Sequence, residues 1–200
     1  ITLGLGKNAQ EFGIECIKKF KENGALISFD VNFRGNLWTG EEARACIEKI
    51  LPYVDIFFCS EDTARLTFGK TGNIEEIQKS FCEDYPISVV ASTERKVITP
   101  KKHDFTSIIY SAKDDTYYRE QPYNSIDVVD RIGSGDAYVS GALFGYLKYG
   151  DCRKALEYGN AMAAIKHSVI GDMVFTDLDE INSIIAQHKD TSEFQLEMNR

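Results

Sequence analysis

The sequence is poor in histidine and has no Cys-x-x-Cys pair, and both absences bear on metal binding. Its three histidines, His103, His167 and His188, follow no spacing typical of metal ligands, so we expect no zinc site. The five cysteines are an odd number, are well spread and lie mostly in apolar runs. This usage is typical of reduced, buried thiols in a cytoplasmic protein.

Basic residues and long apolar stretches are also scarce. The chain holds 23 Lys and Arg against 31 Asp and Glu, which gives a formal net charge of −8. Because nucleic-acid binding needs a basic face, we expect no nucleic-acid partner, although a few local amides and cations suffice for a single nucleotide. No apolar run reaches transmembrane length and no signal peptide is recognisable, so we expect no membrane partner.

Helix and strand patterns alternate over residues 8–91, which predicts an α/β fold with a parallel sheet. The chain then changes to three closely spaced strands, followed by helices and a polar tail over 189–200 that we expect to be loose. The predicted helices are 8–23, 39–51 with a capping box at Thr39-Gly40-Glu41-Glu42, 60–68, 73–84, one after 133, 152–168 and 177–188. The predicted strands are 25–30, 54–59, 87–91, 96–99, 105–112 and 116–121.

The run Val128-Val129-Asp130-Arg131-Ile132-Gly133-Ser134-Gly135-Asp136 reads as a turn that leads into a helix. Its two glycines let the backbone bend sharply or approach a ligand closely. The first amides of a helix lack internal partners and the dipole there favours anions. The turn could therefore hold a phosphoryl group while Asp136 takes the proton from an attacking hydroxyl. The alternative is an ordinary helix start with Asp136 as its N-terminal cap.

This run resembles the second signature of the ribokinase-like (PfkB) sugar kinases, and Val-Asp-Arg-Ile-Gly-x-Gly-Asp is similar to the form found in 2-keto-3-deoxygluconate kinases. The resemblance implies a ribokinase-like three-layer sandwich with a mainly parallel central sheet. It also implies ATP and Mg²⁺, and it allows a monovalent cation. It assigns Gly133, Ser134 and Gly135 to the anion hole, with both glycines against ATP, and it makes Asp136 the catalytic base next to the substrate.

Members of this family carry well over a hundred residues before the point that matches Ile1, and this chain begins without methionine. The resemblance therefore implies that residues 1–188 are the carboxyl-terminal part of a kinase domain, with the amino-terminal part and the β lid absent. That missing part would be a partner of this one. A homo-oligomer is a further expectation, since the family often dimerises through the lid.

Two further segments resemble the substrate contacts of the ketodeoxygluconate kinases. Phe29–Trp38 is similar to their Asp-x-Asn-x-Arg…Leu-Trp segment, so Arg34 is expected to bind the substrate carboxylate through two bonds. A polar turn anchored by Trp38 is the alternative. Lys166–Asp172 is similar to their Lys-His…Gly-Asp pattern, which implies that Asp172 lines the substrate pocket, although an ordinary helix end explains most of the segment equally well.

Nucleotide and metal contacts are implied at two other places. Thr93 and Arg95 stand where the nucleotide-binding loop of the family begins, so both are candidates for ATP binding, with a charged hairpin as the alternative. Ser60-Glu61-Asp62-Thr63 stands where the family has Asn-x-x-Glu, a motif that helps to hold magnesium. Since Ser60 and Thr63 depart from that motif, Glu61 is the candidate metal ligand, and an ordinary acidic residue in a first helical turn is the alternative.

The expected function is ATP-dependent transfer of the γ-phosphoryl group to a hydroxyl of a sugar acid, and the resemblance suggests 2-keto-3-deoxygluconate. A fructokinase or ribokinase activity is the alternative within the family. A non-catalytic sugar or nucleotide sensor on the same fold is the alternative without catalysis. A dinucleotide-dependent dehydrogenase is disfavoured because no G-x-G-x-x-G follows an early strand.

Overall fold

The computed structural model describes residues 1–198, and the chain divides into two compact units. The first unit comprises Ile1–Ser92 and Ile109–Tyr117. The second comprises Thr93–Ile108 and the described residues from Tyr118 onward. Strands and helices alternate along the first unit, and the α/β class predicted from the sequence is confirmed.

Parallel strands form the sheet of the first unit: β1 (Ser28–Asp30), β2 (Ile56–Phe58) and the start of β3 (Val89–Thr99). Phe57 pairs with Phe29 on one side and with Val90 on the other. The helices of this unit are α1 (Lys7–Glu22), α2 (Gly40–Ile47), α3 (Glu61–Phe68) and α4 (Ile74–Asp84).

Local sequence signals set the helix starts and the core of this unit. The predicted capping box is present, because Glu42 N donates to Thr39 Oγ1 (3.2 Å) while Thr39 N donates to Glu42 Oε2 (2.8 Å). In the core, Phe81 packs edge to face against Phe57 and Phe68, with ring centroids 4.9 and 5.5 Å apart. The apolar face of α2 packs into the same core through Ala43, Cys46 and Ile47, which are buried, and Ile50 just after the helix is buried there as well.

The strands that follow differ from the prediction in two ways. β3 runs on to Thr99, so the strands expected at 87–91 and 96–99 are one strand. β6 (Tyr123–Asp127) was not predicted, because Ser125 has a φ of 53° and the pairing shifts between His103 and Phe105, which disturbs the alternation of a regular strand. With β4 (Lys102–Ser111) and β5 (Thr116–Arg119), the strand order is β1-β2-β3-β4-β5, and β6 pairs antiparallel to β4.

Three helices complete the second unit: α5 (Ser134–Tyr149), α6 (Cys152–His167) and α7 (Leu178–Met198). The glycines of α5 allow it to pack closely on α6, because a Cβ on Gly141 would lie 2.5 Å from Tyr158 O and one on Gly145 would lie 2.4 Å from Lys154 O. α7 is longer than the predicted helix and includes most of the segment 189–200 that we expected to be a loose tail. Residues 199 and 200 of that segment lie outside the described residues.

All five cysteines carry free thiols, but only Cys46, Cys59 and Cys152 are buried as predicted, whereas Cys16 and Cys82 are half-buried. Within residues 1–198, no helix combines the length and the apolar character that crossing a membrane requires.

Candidate active site

The turn before α5 contains two glycines with different surroundings. Gly133 has a φ of 77°, in the left-handed region, and a Cβ there would lie 2.0 Å from the carbonyl oxygen of Asp172. Only glycine permits both that conformation and that approach. A Cβ on Gly135 would meet nothing within 4 Å. The second glycine therefore leaves open space beside the start of the helix.

The first turn of α5 has the features of an anion site. Ser134 N donates to Arg131 O (3.2 Å) and Ala137 N donates to Gly133 O (2.8 Å). The Gly135 amide lies between them, and the described part of the chain supplies no acceptor for it. The helix dipole adds partial positive charge at this end. An anion that reaches the turn therefore meets an unpaired donor in open space.

Asp136 lies in this first turn and is exposed. The N-cap position belongs to Gly133, and no side chain caps the helix. The alternative interpretation of Asp136 as an ordinary N-terminal cap is therefore wrong. The residue lies on the same helical turn as the Gly135 amide.

Asp130 fastens this turn to the segment that follows α6. Its Oδ1 accepts from Ile132 N and its Oδ2 accepts from Gly171 N, both at 3.0 Å. These two hydrogen bonds hold the pKa of the Asp130 carboxyl below its usual range, and the bond from Ile132 has the larger effect. His167 O closes the same junction, because it accepts from Val129 N (2.8 Å) and from Asp130 N (3.2 Å). The anion turn, residues 130–136, thus depends for its shape on residues far away in the sequence.

Asp172 follows Gly171 and lies next to the turn. Its backbone carbonyl lies against Gly133, and the residue itself is exposed. The structure therefore brings together the predicted substrate residue Asp172 and the predicted anion hole.

The pKa values of two buried histidines are affected by positively charged side chains. His103 and His167 pack edge to face with ring centroids 6.0 Å apart, and burial lowers the pKa of both. The guanidinium of Arg95 lowers both pKa values further, and that of Arg131 adds to the effect on His103. The charge of Arg95 thus acts on both histidines, and that of Arg131 acts on His103. Cations in this neighbourhood suit a phosphate ligand.

The two predicted ATP contacts lie in a strand. Thr93 and Arg95 both belong to β3, so the loop that the resemblance implied at this point is not present. Thr93 is half-buried and Arg95 is exposed. The continuous pairing of β3 with β4 accounts for the difference, because the chain reverses only at residues 100–101.

The other two predicted site residues belong to the first unit. Arg34 follows β1, is exposed, and donates from Nη1 to Phe33 O at 3.1 Å. Glu61 lies in the first turn of α3, where its Oε1 accepts from Nε and Nη2 of Arg65 at 3.0 and 2.5 Å. Their functional roles stay predictions. Trp38 is buried in the core of this unit and anchors the loop that carries Arg34.

The sequence analysis missed Lys166, which it explained only as a basic residue at a helix end. The structure buries this side chain completely and directs its ammonium to the backbone carbonyls of Asp130 and Val169. The signal available in the sequence was its position at the end of an alanine-rich helix, which the structure buries on nearly every side.

No cluster of three or more His, Cys, Asp or Glu suited to a metal ion occurs among the described residues.

Comparison with known proteins assigns the chain to a family. Residues 4–177 match the family described as pfkB family carbohydrate kinase. Among curated proteins, the chain is 29% identical over 185 residues to a 2-dehydro-3-deoxygalactonokinase of Haloferax volcanii, an alignment that covers 92% of this chain and 55% of that protein. It is 30% identical over 185 residues to an ATP-dependent 6-phosphofructokinase of Thermoanaerobacterium thermosaccharolyticum, with 90% and 53% covered.

A solved structure gives the same result for the fold. The crystal structure of 2-dehydro-3-deoxygluconokinase from Thermotoga maritima superposes with a TM-score of 0.86 at 25% identity, and the match covers 92% of this chain and 56% of that one. The chain spans about half the length of the relatives it matches. Because the family match extends over most of the sequence, we conclude that the chain belongs to the pfkB family of carbohydrate kinases.

Proposed function

We propose that the protein carrying this chain is an ATP-dependent sugar kinase that phosphorylates a hydroxyl of a sugar acid. One observation carries the proposal: the anion site at the start of α5 and the exposed carboxylate of Asp136 share one helical turn. Family membership supports the same reaction class.

In the proposed reaction, the substrate hydroxyl oxygen forms a bond to the γ-phosphorus as the bond from that phosphorus to the bridging oxygen of ADP breaks. Asp136 accepts the hydroxyl proton. The backbone amides of Gly133–Gly135 stabilise the charge that develops on the phosphoryl oxygens. Arg95 and Thr93 are proposed to contact the nucleotide.

Magnesium, when bound, would supply positive charge that offsets the charge of the phosphates. Glu61 is the carboxylate that we propose for this ion. One of its oxygens already accepts from Arg65, so it would offer the other oxygen, directly or through water.

The proposed acceptor is 2-keto-3-deoxygluconate or a close relative. The support is Arg34, an exposed guanidinium that donates to the adjacent Phe33 carbonyl, because a guanidinium matches the carboxylate of a sugar acid. We propose that Asp172 contacts the same substrate. A panel of ketodeoxygluconate, ketodeoxygalactonate, fructose and ribose tests this choice, and a higher kcat/KM for fructose or ribose would contradict it.

Replacement of Asp136 by Asn tests the chemistry. We expect Asp136→Asn to lower turnover by about 100- to 10,000-fold, since a general base contributes that much, while ATP affinity measured by calorimetry changes little. Asp179→Asn is the matched control, because Asp179 is an exposed acid in the first turn of α7. Turnover that survives in Asp136→Asn would refute the assignment of the base.

A non-catalytic sensor is the second candidate, and one observation favours it. Where the family motif has Asn and Glu, Ser60 Oγ donates to Thr63 Oγ1 (2.9 Å) and accepts from Thr63 N (3.2 Å). These hydroxyls serve to cap α3. ATP binding by calorimetry without ADP release in a coupled assay, across the sugar panel, would favour the sensor.

A further inference from the structure

Lys166 is an unusual residue to find completely buried. It is the penultimate residue of α6, and the residues on either side of it, Ile165 and His167, are buried as well. Taking an ammonium out of water is costly unless polar groups replace its hydration. Its partners therefore indicate what this charge does.

The ammonium has neutral partners from two separate segments. Nζ donates to Val169 O at 2.8 Å and to Asp130 O at 3.3 Å. Among the described residues no carboxylate lies within salt-bridge distance of it, although its charge contributes to lowering the pKa of Asp130. Backbone carbonyls around a single positive charge are the surroundings that proteins build for potassium and similar ions.

Both segments belong to the anion turn. Asp130 begins the turn that ends at Gly133, and Val169 lies in the segment whose Asp172 carbonyl packs against Gly133. The carbonyls at the end of α6 also carry partial negative charge, which a cation offsets. The ammonium thus links the two segments whose separation determines the shape of the anion site.

We propose that the Lys166 ammonium acts as a built-in monovalent cation that holds the anion turn in its binding conformation, so that the site needs no such ion from solution. Lys166 is a positioning residue in this proposal, since it acts through the backbone of the turn. The inference rests on the proposed kinase function for its activity measurements, and it makes a second, independent claim about ion binding.

The first test needs no substitution. The unmodified protein is assayed for ATP binding and turnover in potassium, sodium and choline chloride at equal ionic strength, and we expect equal values in the three salts. A requirement for potassium or sodium would overturn the proposal, because the ammonium would then not supply all the positive charge that the turn needs.

The second test removes the charge and supplies it again. Lys166→Met keeps most of the side-chain volume, and we expect its kcat/KM for ATP to fall about 100-fold, as displaced catalytic groups cause, with little change in melting temperature. Lys166→Ala leaves a space, and we expect ammonium or potassium, but not choline, to restore part of its activity. Lys148→Met, at an exposed lysine of α5, should behave like the unmodified protein.

A lysine that only stabilises the fold would give a different pattern, in which melting temperature falls while kcat per folded molecule is kept. That pattern, or the absence of any rescue in folded Lys166→Ala, overturns the proposal. Melting temperature also separates the proposal from the kinase function. Without substrates, ammonium or potassium should raise the melting temperature of Lys166→Ala above its value in choline, and this shift is expected whether or not the protein turns over ATP.

Discussion

Adding a methyl group to each of three glycines tests the geometry of the anion turn. At Gly133 the φ of 77° and the 2.0 Å approach to Asp172 O act together. At Gly150 the φ is 65° but a Cβ would meet nothing within 4 Å. At Gly135, inside the first helical turn, a Cβ would also meet nothing. The three alanine variants therefore separate backbone strain, close packing and ligand access.

The expected magnitudes follow from these surroundings. Gly150→Ala should lower the free energy of unfolding by about 1–2 kcal/mol, the cost of the left-handed conformation for a residue with a Cβ. Gly133→Ala has the same cost. In addition, its turn must move away from the 171–172 segment by about 1 Å to lengthen a contact of 2.0 Å to 3.0 Å. That movement breaks the bond from Gly171 N to Asp130, worth about 1–3 kcal/mol, so we expect a total loss of about 2–5 kcal/mol.

Gly135→Ala should give the opposite result. Alanine is the better helix former, so the stability of this variant should match or exceed that of the unmodified protein by up to about 1 kcal/mol. Its methyl group enters the space that we assign to a phosphate, so ATP affinity should fall about 10- to 100-fold with the loss of one charged hydrogen bond. The loss would appear without any loss of folded protein.

Urea unfolding and calorimetric titration with ATP measure both quantities on the same preparations. The close approach is refuted if Gly133→Ala costs no more stability than Gly150→Ala. The assignment of the anion site is refuted if Gly135→Ala binds ATP as tightly as the unmodified protein does.

Two further predictions concern buried titratable groups of the second unit. Burial, opposed by a hydrogen bond from Asn160, raises the pKa of Glu120 from 4.5 to about 7, so the folded state holds the extra proton and stability falls as pH rises through this window. Glu120→Gln should therefore be more stable than the unmodified protein by about 3 kcal/mol at pH 8 and lose most of that advantage at pH 5 in urea unfolding, and equal gains at both values would contradict the assignment. Burial lowers the pKa of His103 and His167, so the unfolded state binds more protons and stability should fall as pH drops below about 6.5. Replacing both by Gln should flatten the melting temperature between pH 8 and 5.5, and an unchanged acid loss would contradict that explanation.

The elements that the sequence predicts best are those fixed by local chemistry. The capping box at Thr39 depends only on residues within three positions of each other, and it is present. Amphipathic patterns are less informative, since they show which residues share a face but not what covers it. α1 has the predicted pattern, yet its Phe12 is 71% exposed.

The rest of the site depends on contacts that local sequence does not encode. The amide of Gly171 meets Asp130 41 positions away, and the ammonium of Lys166 meets the same residue's carbonyl 36 positions away. Lys166 and Gly171 look like an ordinary helix end until these partners are seen. The same limit applies to β3, where composition suggested two short strands and pairing with β4 made one long one.

An acidic chain can still hold an anionic ligand because the opposing effects act over different distances. The net charge of −8 sets a field that salt screens beyond about 8 Å under physiological conditions. Donors that touch the anion act at hydrogen-bond distance, where each charged bond is worth about 1.5–3 kcal/mol. Affinity should then depend on how rigidly the amides of the turn are held rather than on overall charge. In our proposal the carboxylate of Asp130 and the ammonium of Lys166 hold these amides without contacting the anion, so changes there should weaken phosphate binding from a distance.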